Sequence, residues 1–259
     1  MNDVFLSVII PSYNETENLQ RGVLGEVRDY LSRQKYTWEV IVSEDESPDL
    51  ESRRLAKEFC DENRGFLFLQ NKHGGKALAV WAGIQKSSGM HVLFADMDQS
   101  TPISEAAKLL PYFDQGFEVI IGSRGLERKN FSPFRKLASV TFRTFRGIFV
   151  LGEIVDTQAG FKAFTREAIL KIFPKLEAIR NSGGKAQGWT VGSWDTELLF
   201  IAKKWRYKIK EVPIVWEDRD ESVAKAKERQ QGKFFKESLD MIKQIFRVRI
   251  NDLMGFYEK

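Results

Sequence analysis

The feature that most constrains the fold of this chain is the alternation of short apolar segments with helical patterns through its first half. Residues 5–11, 37–45, 65–71, 91–95 and 117–124 are short and apolar, bounded by polar or glycine-containing turns, as β-strands are. The segments between them have helical patterns, over residues 15–31, 49–62, 76–87 and 104–113. This succession predicts an α/β, Rossmann-like fold with a mostly parallel central sheet covered by helices.

Composition narrows the class of protein without identifying it. The chain has 259 residues, 42% hydrophobic and 29% charged, which is typical of a soluble globular domain with a substantial core. A net charge of +4 is too small to indicate a nucleic-acid partner. The single cysteine, Cys60, excludes a disulfide framework and is predicted to be a core residue. No stretch approaches the roughly 18 uninterrupted apolar residues of a membrane span, so we expect a soluble or peripheral, cytoplasm-facing protein.

Polar clusters follow each predicted strand. In parallel sheets, ligands gather at the carboxyl ends of the strands, so clusters at these positions predict one pocket along one sheet edge. The clusters are Ser12–Glu15, Glu44–Asp45, Asn71–His73, Asp96–Asp98 and Ser123–Arg124.

Two aspartates, Asp96 and Asp98, directly follow the apolar strand that ends at Ala95. In extended backbone, residues two apart project to the same side, so the two carboxylates repel unless a positive charge lies between them. Mg²⁺ or Mn²⁺ fits this place, because such ions bind one or two protein carboxylates and complete their shell with water and phosphate oxygens. The pair therefore predicts a metal site for a nucleotide diphosphate. The alternative is that Asp98 caps the next helix.

A glycine-rich turn opens the helix that starts at Lys76. It is not a Walker loop, since Gln70 replaces the first glycine and Ala77 the final Ser or Thr. The turn can still approach a ligand closely, with Lys76 as counter-charge to a phosphate. We expect His73 to be a surface turn residue.

Asp195 lies in the first turn of the helix that is predicted to begin near residue 193, and a predicted strand follows that helix before Trp216. An acid there complements the helix dipole, which is a complete structural explanation. A position near the pocket is an equally good interpretation, and the sequence leaves the two open.

The segment from 124 to 152 has a different character, because it is rich in basic and aromatic residues. Residues 131–150 predict an amphipathic helix, which either lies in a membrane interface or packs its aromatic face on the core. One face would carry Phe131, Phe134, Ala138, Phe142, Phe145 and Phe149, and the other Arg135, Lys136, Arg143 and Arg146.

Several motifs occur together in an order that resembles a known family. They are VIIPSYNETENL, SEDESPD, GGKALAVWAG, VLFADMDQST, IIGSR, DTQAGFKAF and WDTELLFIAKKWRYKIKEVPIVW. Over nearly its whole length the chain resembles family 2 glycosyltransferases of the GT-A fold, above all the group that acts on polyprenyl (dolichyl) phosphates. The carboxy-terminal run SLDMIKQIFRVRINDLMGFY is similar to the end of such enzymes.

The resemblance implies roles for individual residues. Pro11, Tyr13 and Glu15 would line a nucleobase pocket, and Asp45 would accept a hydrogen bond from the base. Asp96 and Asp98 would carry the metal and so hold the diphosphate, with Arg124 meeting a phosphate. The sugar would lie near Asp156 and Gln158.

The chain departs from the family's pattern at several places. Glu44-Asp45-Glu46-Ser47 stands where Asp-Asp-Gly-Ser is usual, so the donor pocket is expected to differ in shape. Gln99 replaces a glycine or small apolar residue, and Ala159 replaces a cysteine. Because the family's membrane anchors have no counterpart in this sequence, the resemblance favours membrane attachment through residues 131–150.

The implied activity is an inverting, metal-dependent transfer of a hexose to a polyprenyl phosphate at the cytoplasmic face of a membrane. The donor would be UDP-glucose, with GDP-mannose as the alternative, and a membrane-embedded partner subunit is left open. The acceptor phosphate is already an anion, so the enzyme must supply positive charge more than a base. The candidates for that charge are Arg124, Arg128, Lys129 and Arg135.

Residues 1–259 would form one GT-A domain. Residues 1–124 would bind the nucleotide sugar, and residues 125–259 the acceptor, with a carboxy-terminal helix over about 233–250. The catalytic residues would be Asp98, Arg124 and Asp195. Asp195 becomes the general base if the acceptor is instead a sugar hydroxyl. A sugar-nucleotide pyrophosphorylase is disfavoured because PSYNETEN lacks a glycine-rich signature, and a non-enzymatic scaffold because both aspartates are present.

Overall fold

A computed structural model describes residues 4–124, 154–181, 194–219, 243 and 246–259. Its strands are β1 (Leu6–Ser12), β2 (Trp38–Glu44), β3 (Phe66–Gln70), β4 (His91–Phe94), β5 (Val119–Ser123), β6 (Lys162–Thr165) and β7 (Ile209–Pro213). The helices before β5 are α1 (Thr16–Gln20), α2 (Val23–Leu31), α3 (Leu50–Glu62), α4 (Lys76–Lys86), α5 (Ala106–Leu109) and α6 (Pro111–Asp114). Those after it are α7 (Arg166–Ile172), α8 (Glu177–Arg180), α9 (Trp194–Lys204) and α10 (residues 246–253).

Within these residues the strands form one seven-stranded sheet in the order β3-β2-β1-β4-β6-β5-β7. Strands β1, β2, β3 and β4 pair in parallel, as do β5 and β7. Strand β6 runs antiparallel between β4 and β5. The predicted single α/β domain with a mostly parallel sheet is confirmed, and β6 is the strand that the sequence pattern did not predict.

The core lies on both faces of the sheet, because successive side chains of a buried strand point to opposite sides. In β1, Ile9 packs into one cluster, and Val8 and Ile10 pack into the other. In β4, Phe94 belongs to the first cluster and Leu93 to the second. Continuous apolar strands are thus explained by burial on two faces, with helices covering each.

Two predicted helices are interrupted. The helix predicted over residues 15–31 is divided into α1 and α2 by Gly22, whose φ of 86° is left-handed backbone that glycine adopts most readily. The helix predicted over 104–113 begins with a 3₁₀ turn and is divided before Pro111, which has no N–H to donate. The other helices before β5 match their predicted positions to within a residue or two.

Some predictions fall outside the described residues. The amphipathic helix over 131–150 lies there entirely, and of the predicted helix over 233–250 only residues 243 and 246–250 are described, all of them helical. Across the described part of the chain, every helix is too short or too polar to cross a bilayer.

Candidate active site

A cavity of about 190 Å³ opens at the carboxyl ends of β1 and β4, beside the ends of β5 and β7. Its lining contains half of the residues predicted for the site. They are Pro11, Lys76, Asp96, Asp98, Arg124, Gln158 and Asp195. Of the five polar clusters predicted to share one pocket, only the Asp96–Asp98 cluster and Arg124 contribute to the lining of this cavity, where acidic and basic side chains face each other.

Lys76 and Asp96 form an ion pair inside this cavity. Lys76 is the first residue of α4, and its Nζ contacts Asp96 Oδ1. Burial alone would raise the pKa of Asp96, but the Lys76 ammonium holds it below its usual value. Burial acts in the opposite sense on Lys76, and Asp96 raises its pKa nonetheless. Both groups are therefore charged at neutral pH, and Lys76 places a positive charge beside Asp96, while the metal predicted for the aspartate pair stays a prediction.

Asp45 fixes the turn that delivers Lys76. Its fully buried carboxylate accepts hydrogen bonds from the backbone N–H of Gly74 at 2.8 Å and of Gly75 at 2.9 Å. The φ of 84° at Gly75 requires a residue without Cβ strain, which explains the glycine that precedes Lys76. Asp45 thus faces this turn in the structure, and a bond from Asp45 to a nucleobase stays a prediction.

Asp98 is held in a tight turn by Ser100. The Asp98 carboxylate accepts from the Ser100 backbone N–H and from its hydroxyl, both at 2.8 Å. Between them, Gln99 adopts a left-handed φ of 51° and bonds back to the Asp96 carbonyl. The alternative that Asp98 caps the next helix is wrong, because Pro102 occupies the cap position and Asp98 bonds to Ser100.

The guanidinium of Arg21, the residue directly after α1, links this turn to the segment that follows β7. Arg21 donates from Nη2 to the Asp98 carbonyl at 2.7 Å and from Nη1 to the Arg219 carbonyl at 2.5 Å. Ser100 accepts from the backbone N–H of Glu217 at 2.8 Å and of Arg219 at 3.1 Å. The segment after β7 is thereby tied to the Asp98 turn at several points.

The two aspartates fit a divalent cation that takes most of its ligands from a nucleotide. Among the described residues no group of three or more His, Cys, Asp or Glu side chains could hold a metal. Asp96 and Asp98 would then supply at most two carboxylates, which is what Mg²⁺ takes beside phosphates and water. Gly160 leaves room for the Asp96 carboxylate, since a Cβ at position 160 would lie 2.0 Å from Asp96 Oδ2.

Arg124 is paired with Asp156 at the edge of the cavity. Asp156 accepts from Arg124 Nε at 2.7 Å and Nη2 at 2.9 Å, a bidentate arrangement, and also from its backbone N–H. Glu211 of β7 fixes the Asp156 backbone by accepting from its N–H at 2.8 Å. The guanidinium lies 5.7 Å from the centre of the Trp216 ring. Arg124 is thus rigidly oriented toward the cavity, with Asp156 as its partner.

This pair predicts a pH dependence of stability. Burial alone would raise the pKa of Asp156, but the hydrogen bonds and charge of Arg124 lower it from 3.8 to about 2. A depressed carboxylate stabilises the fold above its unfolded pKa, and the contribution is lost as pH falls through the folded one. We expect Asp156→Asn to cost about 2 kcal/mol near neutral pH, and the cost to disappear between about pH 4 and pH 2.

Urea denaturation of both proteins across this pH range measures the difference. Asp29→Asn, which removes an exposed partner of Arg28, is the matched control and should show no such trend. A cost for Asp156→Asn that stays constant down to pH 2 contradicts the assignment.

A second ion pair lies deeper in the cavity wall. Lys162 Nζ lies 2.5 Å from Asp195 Oδ1 and also contacts the Ala159 carbonyl, and both side chains are nearly buried. Asp195 lies in the first turn of α9, as predicted, and it also lines the cavity. The two interpretations of Asp195 that the sequence left open therefore both apply.

Tyr13, Glu15 and Asp45 lie beside this cavity, not in its lining. Tyr13 stacks on His73 with ring centres 4.9 Å apart, and His73 Nδ1 lies 2.9 Å from Asp45 Oδ2. Glu15 accepts a hydrogen bond from Asn18 at 2.6 Å. His73 is in a turn, as predicted, but its half-buried ring belongs to this cluster and not to the open surface. The base-binding roles of Tyr13 and Glu15 stay predictions.

Three of the predicted acceptor-phosphate residues, Arg128, Lys129 and Arg135, lie outside the described residues. Three site residues were not predicted. Lys162 was visible only as the last residue of the GFK motif, and Trp216 only as the end of an apolar run. Arg21 carries no local signal, because its partners are distant in sequence.

Known proteins with similar sequences are glycosyltransferases. Residues 7–173 match the family model described as Glycosyl transferase family 2. The chain is 32% identical to the dolichyl-phosphate beta-glucosyltransferase of Saccharomyces cerevisiae, over 98% of this chain and 77% of that protein. It is 34% identical to the Homo sapiens enzyme of the same name, over 82% of this chain and 67% of that protein.

Solved structures of GT-A glycosyltransferases share the fold. One is glucosyl-3-phosphoglycerate synthase from Mycobacterium tuberculosis in complex with Mn²⁺, UDP and glucosyl-3-phosphoglycerate, with a TM-score of 0.63 and 17% identity over 95% of this chain and 80% of that one. Another is mannosyl-3-phosphoglycerate synthase from Rubrobacter xylanophilus, also with a TM-score of 0.63 and 17% identity, over 97% of this chain and 75% of that one. At this identity the likeness is one of fold.

Proposed function

Because this chain belongs to glycosyl transferase family 2, we propose that it transfers glucose from UDP-glucose to a polyprenyl (dolichyl) phosphate, with inversion and with Mg²⁺ or Mn²⁺. The observation that carries the proposal is the cavity in which Asp96 and Asp98 face Lys76, Arg124 and Lys162. Two anions, a nucleotide diphosphate and a lipid phosphate, must meet at one sugar carbon. A site with several fixed cations beside a carboxylate pair is suited to that task.

The donor is proposed to bind at the Asp98 side of the cavity. Asp96 and Asp98 would hold the metal, which when bound stabilises charge on the departing diphosphate. Lys76 then meets a diphosphate oxygen, since it already lies at the N-terminus of α4, where backbone N–H groups and the helix dipole also favour an anion. Support for the metal and for UDP comes from the solved relative of the same fold that contains both.

The acceptor phosphate is proposed to approach from the Arg124 side. Among the described residues Asp156 accepts from Nε and Nη2 of Arg124, and Nη1 is proposed to meet an oxygen of the acceptor. Arg124 was predicted to meet a phosphate, and we propose that it does so as a hydrogen-bond donor whose orientation is fixed by Asp156. The Asp156 and Gln158 segment, between the two anions, is the proposed sugar-binding wall.

The transfer forms one bond and breaks one. A phosphate oxygen of the lipid attacks the anomeric carbon, and the bond from that carbon to the UDP oxygen breaks, so UDP leaves with the bonding electron pair. The acceptor is a phosphate monoester with a second pKa near 6, so at neutral pH it is mostly a dianion and no proton has to be removed. Asp195 is bound to Lys162 and is proposed to position this wall of the site, not to act as a base.

The remaining parts of the proposal concern where the enzyme works. The names of the relatives give dolichyl phosphate, a lipid, as the acceptor, which supports a reaction at a membrane surface, and the cytoplasmic face is our proposal. Residues 1–124 would form the donor half of the single domain and residues 125–259 the acceptor half. The basic residues Arg128, Lys129 and Arg135 would extend the acceptor site.

Donor choice is tested by thermal denaturation with UDP-glucose and GDP-mannose, each with and without Mn²⁺. A ligand at about one hundred times its Kd stabilises the fold by about 2.7 kcal/mol, which raises Tm by roughly 5–10 °C for a chain of this size. We expect that shift for UDP-glucose with Mn²⁺ only, followed by transfer to a polyprenyl phosphate. A larger shift with GDP-mannose, or transfer to free sugars in preference to the lipid phosphate, contradicts the proposal.

Gly160→Ala tests the carboxylate pair without removing a charge. The new Cβ would lie 2.0 Å from Asp96 Oδ2, so Asp96 must turn away from its place beside Lys76. Displacement of a carboxylate that holds the metal should weaken binding, so we expect affinity for UDP with Mn²⁺ to fall about tenfold or more in calorimetry, which corresponds to about 1.4 kcal/mol of binding free energy. Gly25→Ala is the matched control, because a Cβ at Gly25 in α2 meets nothing within 4 Å. Equal affinities of the two variants would refute the role of Asp96.

A further inference from the structure

The carboxy-terminal helix α10 is fixed to the domain through one of its faces. Val248 and Asn251 point inward and are buried. Just beyond the helix, the buried Tyr257 donates from its hydroxyl to Glu197 of α9 at 2.6 Å. Its carbonyl accepts from Trp205 Nε1 at 2.8 Å. A buried hydrogen-bond network of this kind sets the rotation of α10 about its own axis.

The opposite face of α10 is apolar and exposed. Ile250 and Met254 are each more than half exposed and Leu253 is 87% exposed, with Phe246 one turn earlier also more than half exposed. Their spacing of four, seven and eight residues from Phe246 places all of them on one side of the helix. We call these four residues the C-terminal apolar face. The network on the other side prevents this face from turning inward.

The exposed charges beside this face are mostly basic. Lys243, Arg247 and Arg249 have exposed side chains. The acids that they meet are drawn inward, since Glu177 and Asp252 are only partly exposed. Glu258 is an exposed acid of this segment and is bound by Lys204 at 2.8 Å. Long basic side chains can extend past an apolar surface to reach anionic groups at its rim.

We propose that the C-terminal apolar face inserts into the interface of a membrane that contains anionic lipid. An exposed apolar helix face with basic residues at its edge is the pattern of helices that lie at the headgroup level, about 5–10 Å deep. The size of the face favours a bilayer over a second copy of the chain. A stable dimer buries roughly 800 Å² on each partner, from about 20–30 residues, many more than these four.

This surface is distinct from residues 131–150 and goes beyond the proposed transfer, because binding to lipid needs neither donor nor acceptor. Its consequence for the enzyme is orientation. Helix α10 lies on α9, whose first turn carries Asp195 in the cavity wall, so a bilayer that holds α10 lies at a fixed angle to the site.

Flotation of the full chain with vesicles tests the proposal. We expect binding to vesicles of phosphatidylcholine with 30% phosphatidylglycerol, weaker binding to pure phosphatidylcholine, and a decrease on raising the salt. Leu253→Glu should lower the partition coefficient about tenfold or more, because a charged side chain replaces the leucine that would be buried in the membrane interface. Leu50→Glu, at another largely exposed leucine, on α3, is the matched control and should bind as the wild type does.

Every other outcome overturns the proposal. If the wild type and Leu253→Glu bind vesicles equally, the membrane contact is made by another surface. A change of oligomeric state in Leu253→Glu without a change in vesicle binding assigns the face to a second copy. A lower Tm in Leu253→Glu, with no vesicle binding by the wild type, means that the chain itself covers the face. Transfer to a water-soluble, short-chain prenyl phosphate should be unchanged in Leu253→Glu, which separates this result from a failure of the proposed activity.

Discussion

Replacement of Asp98 by alanine is expected to lower the rate of glucosyl transfer by about three orders of magnitude. Metal stabilisation of charge on a leaving group is worth several kcal/mol, and each 1.36 kcal/mol of barrier is about tenfold in rate. The loss should appear in single-turnover transfer from UDP-glucose at saturating Mn²⁺. It should be accompanied by loss of the thermal shift that Mn²⁺ adds to UDP.

Asp98 also holds its own turn, so a structural effect of the alanine variant must be separated from a chemical one. Asp98→Asn keeps an oxygen that can accept from Ser100 and should retain the wild-type Tm without ligand. Its transfer rate should still fall by a factor of about a hundred or more, because a neutral amide is a weaker ligand for Mg²⁺ or Mn²⁺ than a carboxylate. Asp114→Ala, at an exposed aspartate on α6, should leave both quantities unchanged. Near-normal transfer by Asp98→Asn would remove Asp98 from the proposed metal site.

Lys162→Met is expected to have the largest effect on stability. The Lys162 side chain is 1% exposed, and its ammonium is the partner of Asp195. Removal of one member of a buried pair leaves an uncompensated charge, which costs about 3–5 kcal/mol. For a chain of this size the loss corresponds to a fall in Tm of roughly 10 °C, measured by calorimetry.

The double variant Lys162→Met with Asp195→Leu should regain most of that loss, because it removes both charges and fills the space with apolar atoms. Lys171→Met, which breaks the exposed pair with Glu167 on α7, is the control and should change stability by less than about 1 kcal/mol. A loss below 1 kcal/mol in Lys162→Met would show that Asp195 does not depend on this ammonium.

The parallel part of the fold could be predicted because its signals are local. Each apolar run from β1 to β5 is short, and a helical pattern separates each from the next, so pairing order and helix positions follow from general rules. Strand β6 could not be predicted in this way. Its residues 162–165 are a run of only four that begins with a charged lysine, and its antiparallel place between β4 and β5 is set by contacts with strands far away in sequence.

The residues of the candidate site also differ in whether a local sequence signal marks them. Asp96 and Asp98 were predicted because two carboxylates that follow an apolar strand so closely repel each other, which folding by itself does not favour. Lys76 was found because glycines precede it at a helix start. The role of Asp45 under the 73–75 turn and the burial of Lys162 depend on three-dimensional neighbours. A charged residue at position 162 in a strand carries no sign that its ammonium is buried.

The link between Arg21, the Asp98 turn and the segment after β7 limits how this chain can vary in length. Glu217 and Arg219 must reach Ser100 in a fixed register, and β7 sets where that segment begins. One residue added between β7 and Arg219 would shift both donors away from Ser100 and release the carbonyl that Arg21 binds. Insertions in related sequences should therefore be absent from this connection, although it is irregular backbone of the kind that usually tolerates them.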